Sequence, residues 1–204
     1  MQSKKTVAIF DFDGTITKGD TFIPFLYHCF KGWKFFVGLI YTAPFVIAYF
    51  FKLISNEYAK KKMILFFLKG EDISKISLQS EVFIEKLCNK HYRDNIIERL
   101  LWHQKNNHTT ILISASLDIY IKPWAKKFNF TFAEATELEK INGKYSGNII
   151  GKNCYGLEKV NRMKKILDDD INSYNIYGYG DSKGDDFFLD LCDHKYPKNK
   201  LKHV

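Results

Sequence analysis

Short apolar runs punctuate this chain, and each ends in small or polar residues. Residues 7–10 (VAIF) run into DFDG, residues 109–113 (TTILI) into Ser114, and residues 175–179 (NIYGY) into Gly180 and Asp181. Runs of this length between turn formers read as buried strands. Residues 131–138 are a fourth candidate. Amphipathic patterns lie between them: residues 80–106 as one long charged helix, then 117–128 and 157–167. Strands alternating with helices predict an α/β fold, a parallel sheet covered on both faces. Asn142-Gly143 sits between two short polar-apolar segments and predicts a β-hairpin accessory.

One stretch breaks the alternation. Residues 35–51 read FFVGLIYTAPFVIAYFF, without a charge, between Lys34 and Lys52. That is the lower limit for a membrane-spanning helix. Pro44 divides it, and proline inside a helix breaks or kinks it. The pattern therefore predicts two short apolar helices in an insertion, residues 21–70, after the first strand.

Composition narrows the choice of partner. The 204 residues carry a formal net charge of +8, which favours anionic partners: phosphate esters, anionic lipid surfaces or nucleic acid. No RNA-binding or zinc-finger signature is present, so nucleic acid is not expected. Cys29, Cys88, Cys154 and Cys192 form no C-x-x-C and read as free thiols of an intracellular protein. The start, MQSKKTVAIFDFDG, reads as a first strand of a cytosolic domain and not as a signal peptide.

The polar clusters all stand at the predicted C-terminal ends of strands, where ligands bind in sheets of this kind. Asp11 and Asp13 flank Phe12. At a strand end both carboxylates can turn toward one cavity, and Gly14 permits the turn and a close approach to a ligand. One carboxylate can attack phosphorus while the other moves a proton at the bridging oxygen. A divalent metal would screen the repulsion between a carboxylate and an anionic ester. Taken alone, D-x-D reads equally well as an acid-capped turn. Ser114 offers a hydroxyl and an N–H to a phosphoryl oxygen, or an ordinary helix cap. Lys159 opens a helix against the macrodipole, a placement that a bound phosphate would relieve. Asp181 and Asp185 suit one direct metal ligand and one supporting acid, and an oxygen-rich set favours magnesium over zinc.

In this order the residues resemble the haloacid dehalogenase-like superfamily. Asp11-Phe12-Asp13-Gly14-Thr15 matches its D-x-D-G-T motif, Ser114 its second motif, Lys159 its third, and Asp181 and Asp185 its fourth. The resemblance implies a Rossmann-like core with an inserted helical cap, a phosphatase, and an Mg2+ cofactor. Asp11 is then the nucleophile that forms an aspartyl-phosphate. Asp13 is the acid and base, and its backbone carbonyl binds the metal. Ser114 and Lys159 hold the phosphoryl group beside Gly14 and Thr15. Asp11, Asp13, Asp181 and Asp185 make up the metal site. The implied core is residues 1–19 and 93–204; the cap is residues 20–92, with an apolar hairpin at 33–54.

The cap's position resembles the subclass that includes phosphoserine phosphatase, where an acid after the first motif meets the substrate amine and a cap arginine its carboxylate. Asp20 stands near the acid's place, but no arginine precedes Arg93, and Lys60, Lys61 and Lys62 are the only basic cluster there. In apolar character the cap is similar to that of the phosphatidylglycerophosphatase C lipid phosphatases. The expected substrate is thus a membrane lipid phosphate such as phosphatidylglycerol phosphate, met by a protein peripheral on the cytoplasmic membrane face. The alternatives are a soluble ester or a catalytically idle membrane binder. The complete set of polar groups argues against the idle protein.

Overall fold

The computed structural model of the chain describes residues 4–88, 91–168 and 170–201, without the side chains of residues 87 and 88. Five parallel strands form the core sheet in the order β3-β2-β1-β6-β7. They are β1 (Lys5–Phe10), β2 (Thr109–Leu117), β3 (Phe132–Thr136), β6 (Tyr174–Tyr179) and β7 (His194–Tyr196). The central strand explains itself by its alternation. Val7 and Ile9 enter one apolar cluster, with Ile111, Ile113, Ile176 and Met163, while Ala8 and Phe10 enter the other, with Leu112, Leu100 and Tyr179. A strand buried on both faces needs both parities apolar.

Helices α5 (Asp94–Lys105) and α6 (Asp118–Lys127) cover one face, and α7 (Leu157–Ile166) and α8 (Asp186–Leu189) the other. The small sheet is the hairpin β4 (Leu138–Ile141) and β5 (Lys144–Ile149). Its turn places Asn142 and Gly143 at φ 49° and 76°, the left-handed pair that a two-residue hairpin requires.

Between β1 and α5 lie α1 (Phe22–Cys29), α2 (Trp33–Phe50), α3 (Asn56–Leu68) and α4 (Ile73–Cys88). The outgoing and returning connections run side by side: Lys18 N donates to His91 O, and Arg93 N donates to Ile16 O.

Three expectations change. Residues 35–51 are not two short helices; α2 runs unbroken through Pro44, and the chain reverses only after Phe50. Rings on both sides of the proline lean on α3: Phe35 on Phe67 and Tyr41 on Phe66 before it, Phe45 on Tyr58 after it. Gly38 lets α2 approach so closely that a Cβ there would lie 2.2 Å from the Phe67 ring. Packing on this scale outweighs the one backbone hydrogen bond that proline removes. The apolar hairpin is therefore α2 with α3, wider than residues 33–54. Residues 80–106 are not one helix either: between α4 and α5, Tyr92 bridges back to Thr17; Asn89 and Lys90, within that predicted helix, lie outside the described residues. Finally, β2 continues past Ser114 to Leu117, with a register shift against β3 between Ile113 and Leu117. Cys29, Cys154 and Cys192 are free thiols, and the side chain of Cys88 lies outside the described part.

Candidate active site

Strand register assembles the site. Phe10 pairs with Tyr179 on one side and Leu112 on the other. The residues just beyond these partners therefore meet at one edge of the sheet. Asp11 N donates to Tyr179 O (2.9 Å), tying the first acid to the strand that carries Asp181.

Lys159, in the first turn of α7, is buried with both its acids. Its Nζ lies 2.5 Å from Asp11 Oδ1 and 2.5 Å from Asp185 Oδ1. Burial alone would discharge this lysine, but Asp11 and Asp185 hold the ammonium above its ordinary range. Burial pushes the Asp11 carboxyl up, and Lys159 pulls against it. Thr15 Oγ1 donates to Asp11 Oδ2 (3.3 Å), so Thr15 orients the acid itself.

Asp13 is held apart from this triad. Its Oδ1 accepts from Thr21 N (2.7 Å) and Thr21 Oγ1 (2.5 Å), and its Oδ2 accepts from the Ser116 hydroxyl. Burial, with the nearby Asp20 charge, raises its carboxyl to about 6 despite these bonds. A carboxyl poised there can both give and take a proton near neutral pH.

Asp185 spends both oxygens inside the protein. Oδ1 meets Lys159, and Oδ2 accepts from Asp181 N (3.2 Å), Ser182 N (3.0 Å) and Ser182 Oγ (2.7 Å). It shapes the loop that presents Asp181. Asp181 Oδ1 is buried with no hydrogen-bond partner among the described residues. Such a group calls for a ligand. Asp11, Asp181 and Asp185 each bring a carboxylate oxygen within 4.8 Å of the others. A hard divalent cation fits this all-oxygen set: Asp181 would ligate through its unpartnered oxygen, Asp11 through Oδ2, which among the described residues holds only the long Thr15 bond, and Asp185 would support them. The Asp13 side chain is outside the cluster.

Gly14 has φ +78°, and a Cβ there would lie 2.3 Å from Asp181 Oδ2. Ser114 is fully buried and its Oγ accepts from Ser116 N (3.0 Å); Ala115 and Ser116 line the cavity beside it. Asp20 also lines the cavity, but its Oδ1 caps α1 by accepting from Phe22 N (3.0 Å) and Ile23 N (3.3 Å).

The cavity measures about 570 Å³. Four cations besides Lys159 line it: Lys60, from the basic cluster singled out in sequence, and Lys18, Arg93 and Lys198, which carry no motif that would reveal them. Arg93 Nε donates to Gly14 O (3.1 Å), and Lys198 Nζ stands 3.9 Å from Asp181 Oδ2. Thr21 and Ser116, which aim Asp13, are likewise invisible to motif reading, since single hydroxyl residues are too common to signal anything. The opposite wall is apolar: Val46, Tyr49 and Phe50 of α2, with Ala59 and Met63 of α3.

Comparison with known proteins places this geometry. The family model for haloacid dehalogenase-like hydrolases matches residues 8–186. Protein CicA of Caulobacter vibrioides is 27% identical over 197 residues, covering 96% of this chain and 86% of that protein. Phosphoserine phosphatase SerB1 of Mycobacterium tuberculosis is 24% identical over 193 residues; the match covers 90% of this chain but 61% of that longer protein. Among solved structures, a protein of unknown function from Bordetella pertussis Tohama I shares the fold at a TM-score of 0.83 and 20% identity, over 96% of this chain and 89% of that one. A phosphoserine phosphatase with an analogue of its phospho-aspartyl intermediate does so at 0.63 and 18%, over 98% and 90%.

Proposed function

The chain belongs to the haloacid dehalogenase-like hydrolase family, and from that premise we propose that it is a magnesium-dependent phosphomonoesterase acting on a membrane lipid phosphate. The observation that carries the reading is the cavity in which the carboxylate centre and the exposed apolar helix α2 meet.

An Asp11 carboxylate oxygen attacks phosphorus, giving an aspartyl-phosphate and releasing the alcohol. Asp13 protonates the leaving oxygen and then takes a proton from the water that attacks the phosphoaspartate. Its carboxyl near 6 suits both turns of this exchange. Lys159, kept charged, holds Asp11 in place and faces the charge that builds on the transferring group. Ser114, expected to hold the phosphoryl group, is fully buried and does not line the cavity; its hydroxyl instead accepts from Ser116 N. Asp11, Asp181 and the Asp13 backbone carbonyl would hold the magnesium ion, which reduces repulsion between carboxylate and ester.

The lipid part of the reading comes from α2. It has 18 residues with only 17% of them buried, and no acidic residue. Trp33, Ile40, Phe50, Phe51 and Leu53 are each more than 70% exposed. Soluble domains rarely leave an apolar face of this extent in water. Lys31 and Lys52 flank it, as anchors do at an anionic interface, while Lys34 in its first turn is paired with Glu71 (2.5 Å). The protein then sits peripherally on the cytoplasmic membrane face, α2 in the leaflet and the cavity over the headgroups. The phosphoserine phosphatases among its structural neighbours support a second reading, a soluble ester. Against it, Asp20 is engaged in capping α1, and the cap presents Lys60 to the cavity where an arginine would be needed.

Asp11→Asn is expected to abolish hydrolysis of p-nitrophenyl phosphate with an unchanged melting temperature, and EDTA to silence the wild type until magnesium is restored. Activity in Asp11→Asn, or turnover in EDTA, overturns the chemistry. A panel of esters with and without acyl chains separates the substrates. Higher kcat/KM for the acyl-free esters favours the soluble reading.

A further inference from the structure

Asn153 joins the cap to the core. It is 3% exposed and lies in the segment between β5 and α7. Its backbone N–H donates to Glu57 Oε2 (3.1 Å) and its Nδ2 to Asn56 Oδ1 (2.9 Å). Its Oδ1 accepts from Lys60 Nζ (3.3 Å) and lies 2.8 Å from Thr136 Oγ1. Residues 56, 57 and 60 share one side of the first turns of α3. A single core residue thus gathers the N-terminal end of a cap helix.

The same groups grip one peptide of the catalytic edge. Ala115 O accepts from Lys60 Nζ (2.7 Å), while the single proton of Thr136 Oγ1 goes either to Ala115 O (2.7 Å) or to Asn153 Oδ1. On the other edge of that peptide, Ser116 N donates to Ser114 Oγ (3.0 Å). A peptide is planar, so holding its carbonyl and its N–H sets the direction in which the next side chain leaves. That side chain is Ser116, whose hydroxyl donates to Asp13 Oδ2. A continuous run of hydrogen bonds therefore leads from α3 through Asn153, Lys60 and Thr136 to the Ala115–Ser116 peptide and on to Asp13.

We propose that Asn153 and Lys60 are positioning residues for Asp13: seated together, they fix the Ala115–Ser116 peptide so that Ser116 aims the Asp13 carboxyl at the leaving oxygen. Proton transfer is thereby tied to the seating of the cap, because Lys60, Asn56 and Glu57 all arrive on α3. The inference rests on the acid role of Asp13 proposed above. It adds residues outside the D-x-D-G-T motif to the reaction.

Leaving-group dependence tests it, since a mis-aimed acid matters most where the departing oxygen is basic. The measurement compares kcat/KM for β-glycerophosphate, a poor leaving group, with 2,4-dinitrophenyl phosphate, which departs without a proton. Asn153→Ala and Lys60→Met are each expected to lower the ratio of the two values by about tenfold or more. Asn153→Asp keeps the acceptor oxygen for Thr136 and Lys60 and is expected to return the ratio toward wild type. Asp13→Asn is the control and should lower the ratio furthest. Equal losses on both substrates in Asn153→Ala and Lys60→Met, with Asp13→Asn still selective, overturn the positioning role alone. Equal losses in Asp13→Asn overturn the acid role, and the positioning role with it. If Asn153→Ala does not fold, as judged by thermal melting, Lys60→Met decides the question.

Discussion

Gly14 stands closer to Asp181 than any side chain could. Its backbone is in the left-handed region, and the space a Cβ would take is filled by the Asp181 carboxylate. Gly14→Ala therefore meets two penalties, about 1–2 kcal/mol from the backbone and a displaced Asp181. The expected outcome is a lower melting temperature and a weaker magnesium-induced thermal shift, with kcat/KM down at least about tenfold. An unaltered magnesium response would show that Asp181 does not ligate the metal. At this scale the motif residues were legible because phosphoryl transfer needs particular groups at a turn. Thr15 shows the limit of such reading. Its motif position points to substrate, yet in space its hydroxyl turns back to Asp11. Ser116, Thr21, Lys60 and Asn153 gain their roles only from contacts 8 to 103 residues away in sequence.

Two elements carry features that stability measurements can reach. On α5, His103 is fully buried against Phe10, Trp102 and Tyr177, with Nδ1 2.8 Å from His108 Nδ1 and Nε2 2.9 Å from Tyr179 Oη. Arg99 Nε also donates to Tyr179 Oη (3.1 Å). Burial, with His108 and Arg99 nearby, lowers the His103 pKa to about 3. The unfolded chain, with His near its ordinary 6.5, binds the extra proton first as pH falls. Folding stability is then whole above about 6.5 and declines from there toward about 3. His103→Phe is expected to flatten the melting temperature between pH 6.5 and 4.5; an unchanged slope would assign the acid sensitivity elsewhere. On α2, Pro44 leaves Ile40 O without its helical donor. Pro44→Ala is expected to stabilise the fold by about 1–3 kcal/mol, read as a higher melting temperature. A loss would mean that the proline sets a bend on which packing against α3 depends. Local pattern located α6, α7 and the hairpin to within a residue or two, since periodicity and turn chemistry suffice for them. It misjudged residues 80–106, where Tyr92 bridges to Thr17, and Pro44, where the rings of α3 decide the outcome.

For the whole molecule, the arrangement of charge and apolar surface makes one demand. A protein with net charge +8 and an exposed apolar helix should bind anionic membranes. Phe36 and Ile40 are 59% and 75% exposed, so glutamate at either position should leave the fold intact. Phe36→Glu with Ile40→Glu is expected to lose flotation with phosphatidylglycerol vesicles, with binding at least about tenfold weaker, while p-nitrophenyl phosphate hydrolysis persists. Flotation equal to wild type would refute α2 as the membrane face. The sequence by itself determined the parallel sheet, a helical insertion after the first strand and the acids at the strand ends. Those follow from short apolar runs between turn formers, from the 3.6-residue helical period and from the few residue types that phosphoryl chemistry accepts. Only the tertiary structure decided that α2 is one helix with its face to solvent, that its end walls the cavity, and that Asn153 and Lys60 meet beside the Ala115–Ser116 peptide. Each depends on surfaces brought together from distant parts of the chain, and no local pattern encodes a contact whose partner is tens of residues away.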